Sequence, residues 1–199
     1  MRVTDLEILI AVLIVARFVI KYVKLSQEWK AIVNEYLDAI VIAGLTALFL
    51  ISYIIRTFYI PSSSMKPTLV PNDYILVNEF IYRFAEPKRG DIIVFKPPNK
   101  ENPPDYIKRI VGMENETLEV KENKVYINGQ PQNEPFIPDD QKPDYQYGPV
   151  KIPAGHFFAM GDNRNNSEDS HIWGFLPKQN IVGKAFIVFW PPGRIRILK

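Results

Sequence analysis

The chain of 199 residues contains no cysteine and only two histidines. It can therefore form neither disulfides nor a cysteine-based metal site. It also lacks the His-Glu-x-x-His motif and any cluster of histidines and cysteines, which together exclude the zinc hydrolases. The formal net charge is only +2, with both signs spread along the chain, which argues against a nucleic-acid-binding protein. We therefore predict a protein that uses no metal and no cofactor and binds no nucleic acid.

Two long apolar stretches lie near the N-terminus, Leu6 to Val23 and Ala39 to Ile55, and the second can extend to Ile60. About 20 helical residues cross the hydrocarbon core of a bilayer, so the pattern predicts two transmembrane helices in an anchor over residues 1–57. Because Arg17 interrupts the first stretch, an interfacial helix is the alternative there. We do not expect a cleaved signal peptide, since no small-residue cleavage site follows.

Positive charge predominates between the two apolar stretches, where Lys21, Lys24 and Lys30 outnumber Glu28 and Glu35. Basic residues in a short connecting loop favour the cytoplasmic side of a membrane. Both termini are then predicted to face away from the cytoplasm, which places the rest of the chain on the extracytoplasmic side.

Residues 58–199 read as short strands separated by turns, and the chain has 17 prolines. This pattern predicts a mostly β domain of twisted antiparallel sheets, barrel-like, with a small proline-rich insertion at about 114–153, here called the insertion. The predicted strands are Tyr74 to Val77, Asp91 to Lys96, Tyr106 to Val111, Thr117 to Val120, Lys124 to Ile127, His156 to Met160, Lys184 to Trp190 and Arg194 to Leu198.

A run of three serines, Ser62 to Ser64, follows directly after the second apolar stretch, within the segment Pro61–Leu69 that we call the serine turn. If the apolar stretch crosses a membrane, these hydroxyls lie at the membrane surface. A flexible linker is the alternative, because Ser and Pro are common in loops.

A lysine lies inside the apolar strand pattern at 105–112. Successive strand side chains alternate between faces, so Lys108 shares a face with Tyr106 and Ile110 and can point inward. Burial lowers the pKa of a lysine and makes it able to act as a general base. The alternative is an edge-strand lysine whose amine reaches solvent.

A glycine-led polar loop, Gly161–Ser170, follows the apolar stretch His156–Met160. Short polar side chains bond to their own backbone and build rigid turns. We call this segment the polar loop.

The ordered set of these segments resembles the type I signal peptidases (leader peptidases), membrane-bound serine endopeptidases that remove signal peptides from exported preproteins. The end of the polar loop is most similar to cyanobacterial and plastid members, so the resemblance implies a plasma (inner) or thylakoid membrane. It further implies preproteins and the lipid bilayer as partners, and cleavage at small-X-small sites. The matching segments are Pro61–Leu69, Asp73–Val77, Arg89–Phe95, Tyr106–Arg109 and Gly161–Ser170.

The resemblance implies a role for each matching residue. Ser64 corresponds to the nucleophile and Lys108 to the general base of a Ser-Lys dyad. Ser62 corresponds to the oxyanion donor, and Ser167 to the serine that orients the lysine. The residues implied to support the loop are Asp162, Arg164, Asp169 and His171, and those implied to line the substrate pockets are Phe58, Ile60, Pro61, Met65, Leu69, Asp105, Tyr106 and Ile107.

The chain departs from the common family pattern at two positions. His171 stands where an arginine often pairs with the residue at Asp169, so a pH-dependent contact is expected there. Ser63 stands where many members carry glycine.

Three other interpretations remain from the sequence. His171 beside Asp169 offers a rival base for a serine hydrolase. A self-cleaving repressor-type or conjugation-related protease shares Ser-Lys chemistry, and a catalytically silent, membrane-anchored β-domain is the non-enzymatic reading. The joint presence of Ser62, Ser64, Lys108 and Ser167 favours the peptidase over the silent domain.

Overall fold

The computed structural model describes residues 3–23, 26–53, 55–98, 101 and 104–198. The chain divides into two compact units, Met1–Arg56 and Thr57–Lys199. The N-terminal unit contains two helices, α1 (Val3–Val19) and α2 (Gln27–Tyr53).

Helices α1 and α2 pack against each other. Close approach is possible at Gly44, where a Cβ would lie only 3.0 Å from the side chain of Ile10. The charge that interrupts the first apolar stretch is paired, since Arg17 Nε lies 2.6 Å from a carboxylate oxygen of Asp38. A paired charge is less costly to remove from water than an isolated one.

Only one helix of the described part of the chain, Gln27–Phe49, is long and apolar enough to cross a membrane; the apolar part of α1, Ile8–Val19, is shorter. One candidate transmembrane helix is therefore present in this part of the chain, and the prediction of two is not confirmed. The predicted bounds of the second helix were wrong at both ends, because α2 starts at Gln27 and Ile55 already belongs to a strand.

The connecting loop is correspondingly shorter than predicted. Glu28, Lys30 and Glu35 lie within α2 rather than in the loop. Lys24, one of the three lysines predicted to favour the cytoplasmic side, lies outside the described residues, as does Ile54 of the second apolar stretch.

The rest of the chain is mostly β, as predicted. Its strands are β1 (Ile55–Tyr59), β2 (Tyr74–Asn78), β3 (Ile92–Phe95), β4 (Tyr106–Gly112), β5 (Thr117–Lys121), β6 (Lys124–Ile127), β7 (Gln130–Pro131), β8 (Tyr147–Lys151), β9 (His156–Met160), β10 (Leu176–Pro177), β11 (Ile181–Trp190) and β12 (Arg196–Ile197). A short helix, α3 (Ser170–Trp173), follows the polar loop.

Two sheets form from these strands. The larger has the order β1-β2-β11-β3-β4-β9-β10, with β12 paired to β11, and the smaller has the order β7-β6-β5-β8. In the larger sheet β4 lies between β3 and β9, both antiparallel to it, with Lys108 opposite Ile93. The segment Ile92–Phe95 is buried at all four positions, as a continuous apolar strand pattern predicts.

The smaller sheet is made by the insertion. Its hairpins turn at Glu122-Asn123 and at Asn128-Gly129, and all four residues have positive φ, the conformation of tight hairpin turns. Its apolar face shares a core with β4 and β9 through residues such as Val111 and Phe158. The insertion is therefore packed on the sheet that carries Lys108.

Candidate active site

The serine turn holds Ser64 in a backbone with internal hydrogen bonds. The N–H of Lys66 donates to the carbonyl of Ser63, and the N–H of Leu69 donates to the carbonyl of Met65. Met65 and Leu69 are buried, whereas Ser64 is partly exposed. The turn thus directs the Ser64 hydroxyl out of the core and toward β4.

Lys108 meets this hydroxyl from the middle of β4. Its Nζ lies 2.7 Å from Ser64 Oγ, although its residue is only 4 % exposed. Burial lowers the pKa of Lys108 from 10.5 to about 8, against the opposing charges of Asp169, Glu168 and Asp162, which raise it. A neutral amine at this distance accepts the hydroxyl proton, so the pair can generate a serine alkoxide.

The two other serines assigned from the resemblance differ in their contacts. Ser62 Oγ lies 3.3 Å from Ser64 Oγ, beside the hydroxyl that would attack. The structure does not show the expected hydrogen bond from Ser167 to Lys108. Ser167 Oγ is buried and has no hydrogen-bond partner among the described residues. It packs instead against Gly161, where a Cβ would collide with it.

Two buried carboxylates hold the polar loop. Asp162 accepts two hydrogen bonds from the Arg109 guanidinium, at 2.9 and 2.8 Å, and a third from the Thr68 hydroxyl at 2.5 Å. This ties the loop to β4 and to the serine turn at once. Both members of the Arg109–Asp162 pair are almost completely buried.

Asp169 caps α3 and anchors the end of the loop. One of its oxygens accepts the N–H of Gly161 at 3.0 Å, and the other lies 2.6 Å from His171 Nδ1. The His171 ring stacks on Tyr145 of the insertion, with 4.6 Å between centroids. The contact that replaces the arginine of the common family pattern is therefore present.

Arg164 also supports the loop from a buried position. Its Nε donates to the carbonyl of Gly161 at 3.1 Å, and its terminal nitrogens donate to the carboxylate of Glu134. Glu134 lies in the insertion, and sequence reasoning did not single it out.

The asparagines of the polar loop bond directly to the serine turn. The backbone N–H of Asn163 donates to the carbonyl of Ser64 at 3.0 Å, and its side chain donates to the carbonyl of Ser63 at 3.2 Å. Asn166 donates to the hydroxyl of Ser63 at 3.1 Å. Nothing in the sequence separated these asparagines from ordinary turn formers.

A cleft of about 340 Å³ opens beside Ser64 and Lys108. Four of the predicted pocket residues line it, namely Pro61, Asp105, Tyr106 and Ile107. Lining residues not predicted for the substrate pockets are Ser62, Ser63, Ser64, Pro104, Lys108, Asn166 and Glu168.

The other predicted pocket residues are not part of the cleft lining. Ile60, Met65 and Leu69 are at most 2 % exposed and belong to the core under the serine turn, and Phe58 packs against that core. The backbone explains this for Ile60, because its N–H donates to Asp73 and its carbonyl accepts from Asn72. These bonds fix the turn so that the side chain points into the sheet.

The two histidines have other partners. His156 Nδ1 lies 2.9 Å from the carbonyl oxygen of Ala154, and His171 Nδ1 lies 2.6 Å from a carboxylate oxygen of Asp169. Among the described residues, no three His, Asp or Glu side chains are grouped as metal ligands would be. The geometry therefore favours the lysine over a histidine as partner of Ser64.

Comparison with known proteins gives a consistent result. The model of the family described as "Signal peptidase, peptidase S26" matches residues 33–190. A signal peptidase I of Leptolyngbya laminosa is 46 % identical over 167 residues, which cover 81 % of each chain. The thylakoidal processing peptidase 1, chloroplastic, of Arabidopsis thaliana is 40 % identical over 145 residues, 68 % of this chain and 42 % of that one.

Among solved structures, a signal peptidase I from Enterococcus faecalis V583 is 28 % identical and matches 50 % of this chain and 97 % of that chain, with a TM-score of 0.44. The family match spans most of the chain, including the serine turn, β4 and the polar loop. The chain therefore belongs to the signal peptidase family, peptidase S26, and is a serine endopeptidase of the type I signal peptidase class.

Proposed function

We propose that this chain is an integral membrane signal peptidase in which Ser64 is the nucleophile and Lys108 the general base. The observation that carries the proposal is the 2.7 Å contact between Ser64 Oγ and the Nζ of a lysine that is only 4 % exposed. A serine hydroxyl is a weak nucleophile until a neighbouring base takes its proton.

In the first step, neutral Lys108 takes the proton of Ser64 while Oγ attacks the carbonyl carbon of the scissile bond. Negative charge then develops on the carbonyl oxygen. The Ser62 hydroxyl, beside Ser64 Oγ at 3.3 Å, and the backbone N–H of Ser64 are the proposed donors to that oxygen. Loss of one such donor typically costs about 3 kcal/mol of barrier.

Collapse of the tetrahedral intermediate breaks the peptide bond. The protonated Lys108 gives its proton to the departing amine, which leaves an ester on Ser64 and a neutral lysine. Lys108 then takes a proton from an attacking water, which adds to the ester. The second tetrahedral intermediate collapses, the bond to Ser64 Oγ breaks, and Lys108 returns that proton to the serine oxygen. One amine thus serves both halves of the reaction.

The electrostatic surroundings of Lys108 suit this role. Burial disfavours the ammonium form, while Asp169, Glu168 and Asp162 favour it. Burial prevails, and the balance leaves the pKa at about 8. A base with a pKa close to the working pH is both available and strong enough to accept a proton.

We assign the preference for small residues, one and three positions before the cut, to the cleft beside Ser64. Ile107 lines this cleft and also packs on the core, so it cannot easily move away. A branched substrate side chain that clashes with Ile107 is expected to weaken binding by about 1 to 3 kcal/mol. Shape alone gives roughly 10 to 200-fold discrimination per methylene.

The membrane must then supply the remaining selectivity, by limiting which bonds reach Ser64. Helix Gln27–Phe49 is the candidate span, and basic residues precede it. We place the second unit, Thr57–Lys199, on the extracytoplasmic side of a plasma (inner) or thylakoid membrane. The thylakoidal name of the plant relative supports the second of these membranes.

The test uses the full chain in detergent or vesicles with a preprotein substrate. Ser64→Ala and Lys108→Ala should fold yet leave the preprotein uncut, because the two groups act as one unit. Lys151→Ala, which removes an exposed lysine of β8, is the control and should cleave normally. Substantial cleavage by Lys108→Ala together with an inactive His171→Ala would refute the dyad.

A further inference from the structure

The insertion contributes one carboxylate to the support of the active site. The side chain of Arg164 in the polar loop is fully buried, and its two terminal nitrogens donate to Glu134 at 2.8 and 2.5 Å. This two-bond geometry between a guanidinium and a carboxylate fixes orientation as well as distance. Glu134 therefore sets where the Arg164 side chain lies.

Arg164 passes this constraint to Gly161. Its Nε donates to the Gly161 carbonyl at 3.1 Å, while the Gly161 N–H donates to Asp169 at 3.0 Å. Gly161 has no spare space, because a Cβ there would collide with Ser167 Oγ and with the carbonyl oxygen of Ser64. A shift of Gly161 therefore displaces the backbone of the proposed nucleophile.

The neighbouring carboxylates already have other partners. Asp162 bonds the Arg109 guanidinium, and Asp169 bonds the Gly161 N–H and His171. A buried guanidinium without a paired carboxylate is strongly unfavourable, so loss of the Glu134 charge should make Arg164 move toward water. That movement would break its bond to Gly161.

Three further contacts join the insertion to this region. The centroid of the Phe136 ring lies 4.0 Å from the guanidinium carbon of Arg109, and Arg109 is the neighbour of Lys108 on β4. Asn165 of the polar loop donates to the carbonyl of Lys142 and accepts the N–H of Asp144.

From this chain of contacts we propose that Glu134 is a positioning residue for the reaction at Ser64. It acts through Arg164 and Gly161 on the distance and angle between Ser64 Oγ and Lys108 Nζ. The proposal rests on the proposed function, since it takes Ser64 and Lys108 as the reacting pair. Misplacement of a reacting group by about 1 Å can cost roughly 100-fold in rate.

The experiment compares Glu134→Gln with Glu119→Gln in the full chain. Glu119 lies on β5 of the insertion, and its ion pair with Lys121 is solvent-accessible, so the control removes an equal charge away from the polar loop. Preprotein cleavage gives kcat and KM for each variant. Thermal unfolding gives the fraction folded at the assay temperature, and rates are expressed per folded molecule.

We expect Glu134→Gln to lower kcat by about 10 to 100-fold with KM changed by less than about threefold, since the cleft lining stays intact. Glu134→Asp keeps the charge on a shorter side chain and should recover part of the loss. Acylation of Ser64 by a serine-directed inhibitor should slow by the same factor as kcat. The control should match the unmodified chain.

A wild-type kcat per folded molecule in Glu134→Gln would overturn the proposal, as would a loss accounted for by unfolding alone. If Glu134→Gln does not fold, the double variant Glu134→Gln with Arg164→Met removes both charges of the buried pair together with the bond to Gly161, and a wild-type kcat per folded molecule in that variant would overturn the proposal. Ser64→Ala separates the two hypotheses. Activity retained in Ser64→Ala refutes the dyad, whereas an inactive Ser64→Ala with an unaffected Glu134→Gln refutes only the role of Glu134.

Discussion

Raising the pH should switch this peptidase on through one group, the amine of Lys108. The pKa of that amine lies at about 8 because burial outweighs the carboxylates around it. At pH 8 about half of the molecules then carry the neutral base, compared with about 1 % at pH 6. With the ordinary lysine pKa, the neutral fraction at pH 8 would be only about 0.3 %, so burial makes the base roughly 150 times more available.

The same shift has a cost in stability, whose sign can be worked out. The folded-state pKa is lowered below the unfolded value of 10.5. Between about pH 8 and 10.5 the unfolded chain binds a proton that the folded chain does not, so the free energy of unfolding rises with pH there. Below pH 8 both states are protonated, and the full penalty of about 3 kcal/mol applies.

Replacing the amine by an apolar side chain of similar length separates these effects. Lys108→Met should be inactive yet more stable than the unmodified chain by about 3 kcal/mol at pH 6. This advantage should shrink above pH 8 and level off beyond pH 10.5. Lys151→Met, at an exposed position of β8, should show no such trend.

The assays are the pH dependence of kcat/KM for preprotein cleavage and of unfolding by denaturant, both on the full chain in detergent. The rate should rise with an apparent pKa of about 8. An apparent pKa close to 10, with a stability difference that does not change with pH, would refute the assignment of a buried lysine as base.

Three substitutions test other parts of the site. Ile107→Ala widens the cleft and should raise kcat/KM by about 10-fold or more for preproteins that carry Val in place of Ala one or three residues before the cut. Unchanged selectivity would show that Ile107 does not line the pocket. Ile60→Ala is the matched change in the core and should lower the free energy of unfolding by about 2 to 5 kcal/mol while selectivity stays the same. Arg109→Leu leaves the buried Asp162 carboxylate without its guanidinium and should cost about 3 to 5 kcal/mol in denaturant unfolding, so a loss below 1 kcal/mol would show that the pair does not brace the loop.

Local patterns in the sequence were sufficient for much of the fold. Each of the eight predicted strands overlaps a strand of the structure, with His156–Met160 and Lys124–Ile127 at their predicted bounds, because β-branched and aromatic runs between turn residues leave few other choices. The last prediction, Arg194 to Leu198, was too long, because Arg194 ends a 3-10 helix and only Arg196–Ile197 is a strand. The strand Ile55–Tyr59 was missed, since its apolar residues continue the run of the preceding helix. The start of α2 at Gln27 was missed because the prediction followed the run of apolar residues, and the first residues of this helix are polar.

Side-chain depth could not be predicted in the same way. Alternation placed Lys108 on one face of β4, but strands on both sides and a core beneath were needed to bury it. The resemblance implied that Ile60, Met65 and Leu69 line the substrate pockets, which stays a prediction. In the structure all three side chains lie in the core, and the backbone pairing of Ile60 with the residues before β2 holds the first of them there.

The sequence by itself thus determined the residue types needed for the chemistry and the strands that carry them, because these depend on neighbours along the chain. Only the tertiary structure decided which groups meet. Ser64 and Lys108 are 44 residues apart, and the Glu134–Arg164 pair is separated by 30. Such contacts depend on the position of β11 between β2 and β3 and on the packing of the insertion against β4 and β9. Neither arrangement can be predicted from a local sequence pattern, because each joins segments that are far apart in the chain.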